Sequence, residues 1–294
     1  MNKKIILLIS MILVITSYPN LSFADISSKE IKSSVQYSKA IEEPAKNRKN
    51  LPLNAKSAVI INATTGDILY DKKMNVRRQN ASTTKIMTAI LAFENSSVNA
   101  KTVISQKASK TGDRSVKFKK GDRVFIKNLL NCLLIESDNG SAVAIAESIS
   151  GSSSKFAKKM NKKAKNLGCK NTHFVNPHGW PNKNHYSTAY DLAVMMKHAM
   201  NKKNFRKIVR KKSYTFKTLK KKDKFKVKTT NKLLGKIKGI TGGKTGTTKA
   251  AGYCFVTTYR YKDNTYIIVV LGSKSNSKRW NDTKKLIKYI KKYE

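Results

Sequence analysis

Apolar residues fill nearly every position of the segment 86–93, in which Thr88 is the one polar residue. A surface helix shows an apolar and a polar face with a period near 3.6 residues, and this segment has no polar face. It therefore predicts a helix that is buried on all sides. Ser82 and Lys85 stand at its beginning, so a charged amine lies where an apolar side chain would be expected.

Runs of β-branched and aromatic residues predict strands towards both ends of the chain. Residues 58–62 and 65–70 are predicted to form a hairpin, and residues 252–259 and 265–271 are predicted to be strands. Two strands alone rarely form a stable sheet. We therefore expect both sets of strands to share one antiparallel sheet.

The residues between these strands are predicted to be mostly helical. The predicted elements are a helix over 129–149 that is interrupted at 137–140, helices over 156–167 and 188–200, a basic hairpin over 213–230, and a last helix over 280–293. The fold class is therefore α/β, of the α+β type. Helices are expected to cover the antiparallel sheet, and a mostly helical lobe is expected to be inserted between its N- and C-terminal strands.

The first 24 residues have the pattern of a secretory signal peptide. Two lysines precede a short apolar run over 5–15, and Ser22 and Ala24 provide the small residues of a cleavage site. An uncleaved N-terminal anchor is the alternative, and in both cases the rest of the protein is exported. Residues 25–52 are polar and lack periodicity, which predicts a linker, and residues 53–294 are predicted to be the folded domain.

The formal net charge is +44, from 61 basic and 17 acidic residues. Such an excess indicates a polyanionic neighbourhood, which could be nucleic acid, anionic lipid or a phosphate-rich cell wall. Because an exported protein rarely meets DNA, we expect no nucleic-acid partner. The alternative is that the basic residues have no specific partner and simply cover every solvent-exposed surface of a lysine-rich protein.

Cysteine and histidine give no sign of a metal site or a disulfide framework. Cys132 and Cys254 are predicted to be small buried hydrophobic residues, although a disulfide stays open as an alternative. A zinc site from His173, His178 and His185 is disfavoured, since no carboxylate or cysteine joins them. We expect no metal and no cofactor.

Ser82 and Lys85 suggest an activated nucleophile. Residues i and i+3 share a helix face, and both burial and the positive end of the helix dipole lower the pKa of a lysine there. A neutral Lys85 can then take the proton of Ser82. The alternative is a helix-capping serine followed by an ordinary lysine, and the same spacing recurs at Ser152–Lys155 and Ser275–Lys278, where no buried helix follows.

Two further polar segments stand in apolar surroundings. Ser137, Asp138 and Asn139 interrupt the predicted helix over 129–149, and buried polar groups need hydrogen-bond partners, which a substrate cleft would provide. Residues 242–247 precede a predicted strand, and their glycines would let a substrate backbone lie close to it. Lys244 and Thr245 offer a charge and a hydroxyl group to a carboxylate.

In this order the three segments resemble the motifs of the penicillin-recognising serine enzymes. Local sequences at 81–89, 174–179, 185–193 and 243–254 are similar to those of the D-alanyl-D-alanine carboxypeptidases, the low-molecular-weight penicillin-binding proteins of the S11 peptidase type. The resemblance covers about residues 53–294. It implies a DD-peptidase/β-lactamase-like fold and a penicillin-binding, transpeptidase-like catalytic domain.

The resemblance also implies roles for particular residues. Ser82 would attack the carbonyl group of the penultimate D-alanine, Lys85 would take its proton, and Ser137 would relay a proton to the leaving D-alanine. The implied substrate-binding residues are Asn139, Lys244, Thr245, Gly246, Thr247 and, as a weaker candidate, His178. Backbone N–H groups of Ser82 and Thr247 would form the oxyanion hole. His178 has loop packing as its alternative role.

The sequence departs from the family at two positions. Many relatives have proline where this chain has Asn80, and many have glycine where it has Asp138, which is the residue of class A β-lactamases. Those β-lactamases deacylate with a glutamate downstream of the second motif. This chain has no glutamate between Glu147 and Glu294, which favours a peptidase.

The expected activity is a serine-type D-Ala-D-Ala carboxypeptidase that acts on peptidoglycan stem peptides, with β-lactams as covalent inhibitors. A DD-endopeptidase, a β-lactamase and a non-catalytic basic protein that binds the cell wall stay open as alternatives. Anionic wall polymer or lipid is a further expected partner, through the basic surface. The expected location is extracellular, at the cell wall. Membrane attachment is left open, although the apolar side of the last helix is predicted to pack on the sheet.

Overall fold

The computed structural model describes residues 51–219 and 224–294. The predicted signal peptide, and the predicted linker up to residue 50, lie outside the described residues. The strands are β1 Ser57–Asn62, β2 Ile68–Lys72, β3 Lys101–Val103, β4 Arg123–Phe125, β5 Ser213–Lys217, β6 Lys224–Lys228, β7 Ile240–Thr248, β8 Gly252–Tyr261 and β9 Asn264–Ser273. The α-helices are α1 Lys85–Asn95, α2 Gln106–Thr111, α3 Ile126–Asn131, α4 Asn139–Ser150, α5 Ser153–Asn166, α6 Ala189–Met200, α7 Lys203–Val209 and α8 Asn276–Tyr293.

Five strands form one antiparallel sheet in the order β2-β1-β9-β8-β7. Ile60 of β1 pairs with Tyr70 of β2 on one side and with Ile268 of β9 on the other. The predicted α+β architecture, with one sheet made from both ends of the chain, is confirmed. The pairs β3–β4 and β5–β6 form two small separate sheets, and β5–β6 is the predicted basic hairpin.

The segment 242–247 precedes strand β8, as predicted, but it also forms part of a strand of its own, β7. This strand lies at the edge of the sheet and pairs only with β8 among the described strands. Its three glycines lower its β propensity, which hid it from sequence analysis. An edge strand tolerates glycine where another backbone comes close.

The two faces of the sheet bury two apolar clusters, because successive side chains of a strand point to opposite sides. Val59 and Ile61 lie in the cluster shared with the helical lobe, whereas Ile60 lies in the cluster under α8. The α8 side chains in that cluster include Trp280, Leu286, Ile287 and Ile290. The prediction that the last helix packs on the sheet is therefore confirmed.

Helix α1 is the buried helix that the sequence predicted, and every residue from Lys85 to Ala92 is buried. It contacts α4, α5 and α6. Cys132, Cys169 and Cys254 are buried and form no disulfide, which agrees with the prediction for Cys132 and Cys254 as small buried hydrophobic residues. Across the described residues, no helix combines the length and the apolar character needed to cross a membrane.

Candidate active site

Ser82 and Lys85 meet at the beginning of α1. Ser82 belongs to a 3-10 turn, Ala81–Thr84, rather than to the α-helix expected from the spacing, and Lys85 is the first residue of α1. Side chains at i and i+3 eclipse each other in a 3-10 turn, which aligns the two residues even more directly than an α-helix would. Lys85 Nζ lies 2.7 Å from Ser82 Oγ.

The amine of Lys85 is completely buried and surrounded by oxygen atoms. Besides Ser82 Oγ, Nζ lies 2.6 Å from Asn139 Oδ1 and 3.1 Å from the carbonyl oxygen of His178. Burial lowers the pKa of Lys85 to about 7, although the negative charges of Asp138 and Asp113 oppose this shift. A substantial fraction of the amine is therefore neutral near pH 7.

Asn80 fixes the turn that carries Ser82. Its buried amide group donates hydrogen bonds to Thr83 Oγ1 at 3.2 Å and to Thr84 Oγ1 at 3.0 Å. The hydroxyl of Thr83 donates back to the carbonyl of Asn80 at 2.6 Å. Many relatives have a proline at this position, and here side-chain hydrogen bonds hold the turn instead.

Ser137 and Asn139 reach the same place from an interruption in the helical lobe. Helix α3 continues as a π-helical turn, Cys132–Glu136, and Ser137 then adopts a left-handed conformation with φ of 74° before α4 begins. Such a backbone costs about 1–3 kcal/mol for a residue other than glycine and is most common at functional sites. The break predicted at 137–140 is therefore present, and it turns Ser137 and Asn139 towards the two buried lysines.

Asp138 caps helix α4 and introduces a buried carboxyl group behind the site. Its Oδ2 accepts a hydrogen bond from the backbone N–H of Ser141 at 2.5 Å, and its Oδ1 is buried without a partner among the described residues. Burial raises the pKa of this carboxyl group. The residue therefore combines a structural role with an electrostatic effect on Lys85.

Strand β7 places a second buried lysine opposite Ser137. Lys244 Nζ lies 2.7 Å from Ser137 Oγ and 2.8 Å from the carbonyl oxygen of Thr245. Burial, and to a smaller degree the nearby charge of Lys85, place the pKa of Lys244 well below its usual range. The Thr245 hydroxyl shares a hydrogen bond of 2.7 Å with Thr230.

Gly246 lets β7 run directly beside Ser82. A Cβ atom at this position would lie 2.9 Å from the backbone nitrogen of Ser82 and 2.9 Å from the carbonyl oxygen of Asn80. Any other side chain would push the strand away from the turn. Gly246 therefore allows the close approach of β7, on which Thr247 is the next residue.

His178 lies near the site but mainly presents its backbone to it. Its carbonyl group contacts Lys85, while its ring nitrogen Nδ1 accepts the backbone N–H of Trp180 at 3.2 Å. Gly179, with φ of 90°, brings this loop so close to the 3-10 turn that a Cβ atom would clash with the carbonyl of Ala81. Burial lowers the pKa of His178 to about 3, so the ring is neutral.

The three histidines considered for zinc do not converge, and no group of potential ligands that could hold a metal ion occurs in the part of the chain that the structure describes. His185 uses both ring nitrogens within the protein. Nδ1 accepts from the N–H of Val175 at 3.2 Å, and Nε2 lies 2.8 Å from Thr84 Oγ1.

Two residues at the site were not identified from the sequence. Arg279 of α8 is buried, and its Nη1 donates to Thr247 Oγ1 at 3.2 Å and to the carbonyl of Gly246 at 3.3 Å. Its place on the apolar side of α8, beside Trp280, is a sequence feature from which a buried arginine could have been predicted. Thr230, the partner of Thr245, stands in a loop and gave no such signal.

The chain is similar to known proteins of one family. A family model described as D-alanyl-D-alanine carboxypeptidase, peptidase S11, matches residues 43–275. The D-alanyl-D-alanine carboxypeptidase DacF of Bacillus subtilis is 36% identical over 84% of this chain, and this chain covers 65% of its length. A D-alanyl-D-alanine carboxypeptidase of Streptomyces strain K15 is 36% identical over 78% of this chain and is covered to 84%.

The fold is also found among solved structures. The crystal structure of the Streptomyces K15 DD-transpeptidase superposes with a TM-score of 0.77 at 34% sequence identity. The superposition covers 82% of this chain and 98% of that one. The predicted DD-peptidase type of fold is therefore confirmed.

Proposed function

The chain belongs to the S11 family of D-alanyl-D-alanine carboxypeptidases, and we propose that it removes the terminal D-alanine from peptidoglycan pentapeptide stems through an acyl-enzyme on Ser82. One observation carries the proposal. A fully buried lysine amine lies 2.7 Å from the Ser82 hydroxyl, and its pKa is lowered to about 7. An amine in this state can act as a general base at neutral pH.

In the proposed reaction, Ser82 Oγ attacks the carbonyl carbon of the penultimate D-alanine while Lys85 takes the hydroxyl proton. The resulting oxyanion would accept hydrogen bonds from the backbone N–H groups of Ser82 and Thr247. The C–N bond then breaks while Ser137 passes its proton to the departing amine, and the proton that Lys85 took from Ser82 is returned to Ser137. Water hydrolyses the ester and restores the Ser82 hydroxyl.

Hydrogen-bond donors along β7 and the charge of Arg279 support recognition of a substrate that ends in a carboxylate. Lys244 and the Thr245 hydroxyl come from neighbouring residues of the strand, and Arg279 Nη1 donates to Thr247 Oγ1. Burial lowers the pKa of Arg279 to about 10, which leaves it charged at neutral pH. Asn139, whose Oδ1 contacts Lys85, would use its remaining hydrogen-bonding groups for the substrate amide. A substrate contact of the His178 ring stays a proposal.

A second candidate differs only in what attacks the acyl-enzyme. The solved relative described as a DD-transpeptidase supports a reaction in which an amine, rather than water, accepts the acyl group. A DD-endopeptidase would use the same residues on a cross-linked peptide. The β-lactamase alternative is disfavoured because this chain has no glutamate between Glu147 and Glu294 that could drive deacylation, so penicillin is expected to inhibit the protein covalently.

Product analysis on purified muropeptides tests the proposal. Mass spectrometry should show that pentapeptide stems lose one D-alanine, and Ser82→Ala should abolish this loss. Cleavage of cross-linked dimers would instead identify an endopeptidase. Products in which glycine supplied as the acceptor has replaced the terminal D-alanine would identify a transpeptidase. Fast turnover of penicillin would identify a β-lactamase. A protein that neither cleaves a muropeptide nor forms a penicillin adduct would be the non-catalytic alternative.

The proposed setting is the outside of the cell. In this proposal, residues 1–24 are a signal peptide, residues 25–52 are a linker and residues 53–294 are the catalytic domain. The peptidoglycan substrate supports this setting, since it lies beyond the cytoplasmic membrane. The net charge of +44 supports a further association with anionic wall polymer or anionic lipid.

A further inference from the structure

A concave surface lined by basic side chains lies at one end of the five-stranded sheet, where β1 begins and β2 and β9 end. It encloses about 480 Å³ and is bordered by Lys56, Lys72, Lys73, Arg78 and Lys274. We call it the basic hollow. The other lining residues are uncharged, so among the described residues five cations and no acidic side chain line the hollow, although the buried carboxylate of Asp282 accepts the backbone N–H of the lining residue Asn54 at 2.9 Å.

Two of the five cations are built into the wall of the basic hollow. Lys72 Nζ donates to the carbonyl oxygen of Leu53 at 2.8 Å. Arg78 donates through Nε to Ser57 Oγ at 2.6 Å and through Nη2 to the carbonyl of Lys56 at 3.0 Å. These bonds fix the positions of the two positive charges, and all of their acceptors are uncharged oxygen atoms.

The other three cations are exposed around the rim. The side chains of Lys56, Lys73 and Lys274 are exposed, and within the described residues no carboxylate forms an ion pair with any of them. The backbone is held at two of these residues, since Ser57 Oγ donates to the carbonyl of Lys73 at 2.7 Å and the N–H of Lys56 donates to the carbonyl of Leu271 at 2.9 Å. The rim therefore presents exposed side chains on a hydrogen-bonded backbone at Lys56 and Lys73.

A second group of basic residues shows how this protein neutralises such a cluster when it does so internally. Lys163, His198 and Lys202 converge on one carboxylate oxygen of Glu94, at distances of 2.9, 2.8 and 3.5 Å. The basic hollow has no such acid among its lining residues, although it gathers more positive charge. Like charges in one concavity repel each other, and an external anion would relieve that repulsion.

We propose that the basic hollow binds the phosphate groups of a phosphate-bearing polyanion. Lysine amines are compact point charges that suit phosphate oxygens, and several of them around one concavity can surround successive phosphate groups of a chain. The proposal goes beyond the peptidase reaction and does not depend on it, because none of the five cations belongs to the site around Ser82.

The location makes the two sites compatible. Thr247 pairs with Tyr253, Tyr253 pairs with Ser273, and Ser57 pairs with Leu271, so β7 and the basic hollow share one end of the sheet. Strands lie about 4.8 Å apart, which places the hollow about 15 Å from the edge strand β7. A polyanion held in the hollow would therefore keep Ser82 close to the polymer without covering it.

The test compares two triple variants that remove the same charge. Lys56→Gln, Lys73→Gln and Lys274→Gln remove the rim of the basic hollow, while Lys158→Gln, Lys162→Gln and Lys165→Gln remove three exposed lysines from α5. The probes are soluble poly(glycerol phosphate), vesicles of phosphatidylglycerol, vesicles of phosphatidylcholine and poly-glutamate. Binding is measured by titration calorimetry or sedimentation at about 0.15 M salt, where the Debye length is about 8 Å.

We expect the rim variant to lose about tenfold in affinity for poly(glycerol phosphate) and for phosphatidylglycerol vesicles, while the α5 variant loses less than about twofold. Stronger binding to poly(glycerol phosphate) than to phosphatidylglycerol would identify a wall polymer as the source of the phosphate, and the reverse order would identify a lipid. Equal losses in the two variants, no loss in the rim variant, or an equal loss with poly-glutamate would overturn the proposal. Hydrolysis of a small D-alanyl-D-alanine peptide should be unchanged in both variants, which separates this test from that of the catalytic site.

Discussion

Lysine occurs in two contrasting environments in this protein. Lys85 and Lys244 are almost completely buried, and each amine lies within 2.8 Å of at least two oxygen atoms. On α5, in contrast, Lys158, Lys162 and Lys165 are exposed to solvent, and no ion pair involves them within the described residues. The side chains are chemically identical, so any difference in what they do must come from their surroundings.

The difference points to burial, rather than to charge, as the property that would suit a lysine to the proposed chemistry. The protein interior lowers the pKa of Lys85 to about 7 and places that of Lys244 well below its usual range. The large positive charge of the chain is thus a property of its surface. The proposed chemistry depends on two lysines whose charge the fold suppresses.

The largest effect is expected from Ser82→Ala. Without the hydroxyl group there is no nucleophile, so a labelled penicillin should form no covalent adduct, as measured by intact mass. The matched control is Ser152→Ala, which removes a serine at the same Ser-x-x-Lys spacing but from the cap of α5, where Ser152 accepts from Lys155 N at 3.2 Å. Adduct formation that survives in Ser82→Ala would show that Ser82 is not the nucleophile.

Lys85→Arg should have the next largest effect. A guanidinium group keeps the positive charge but cannot act as a base, so the acylation rate should fall by roughly 10²–10⁴. Lys155→Arg, at the equivalent spacing on α5, should acylate normally. An Lys85→Arg protein that reacts at the wild-type rate would mean that the buried amine is structural.

The Asp138→Asn variant changes the electrostatic environment of Lys85 and leaves Lys85 itself in place. Asparagine can still cap α4, but it removes a negative charge that opposes the lowering of the Lys85 pKa. The pKa should therefore fall further, and acylation should persist to lower pH than in the wild type. A pH profile that is unchanged, or that moves to higher pH, would contradict this electrostatic role.

The smallest effect is expected from the α5 triple variant Lys158→Gln, Lys162→Gln and Lys165→Gln. Surface substitutions away from special features usually change the free energy of unfolding by less than about 0.5 kcal/mol each. Thermal unfolding and the acylation rate should both stay close to wild type. A large loss of either would show that the exposed lysines are more than solvated surface.

Much of this picture could be predicted from the sequence, because the pattern of α1 and of strands β1, β8 and β9 is strong. The apolar run after Lys85 already implied a buried amine, and the polar break at 137–139 already implied a cleft. Both depend on local patterns, which sequence analysis reads well.

The parts that escaped prediction depend on contacts between distant segments. Strand β7 is rich in glycine, and it forms because its backbone pairs with β8 and lies against the turn that carries Ser82. Arg279 acts 32 residues away from its partner Thr247. The basic hollow joins residues at or next to the ends of β1, β2 and β9, and their lysines looked like any others in a lysine-rich chain.

The most direct test of the central claim is the acylation rate of the wild-type protein with penicillin as a function of pH between 5 and 9. Because the pKa of Lys85 is lowered to about 7, the amine is mostly neutral above this value and protonated below it. We expect a half-maximal rate near pH 7 and a fall of about tenfold per pH unit at lower pH. A rate that stays constant down to pH 5, or that rises only near the pKa of an ordinary lysine, would contradict it.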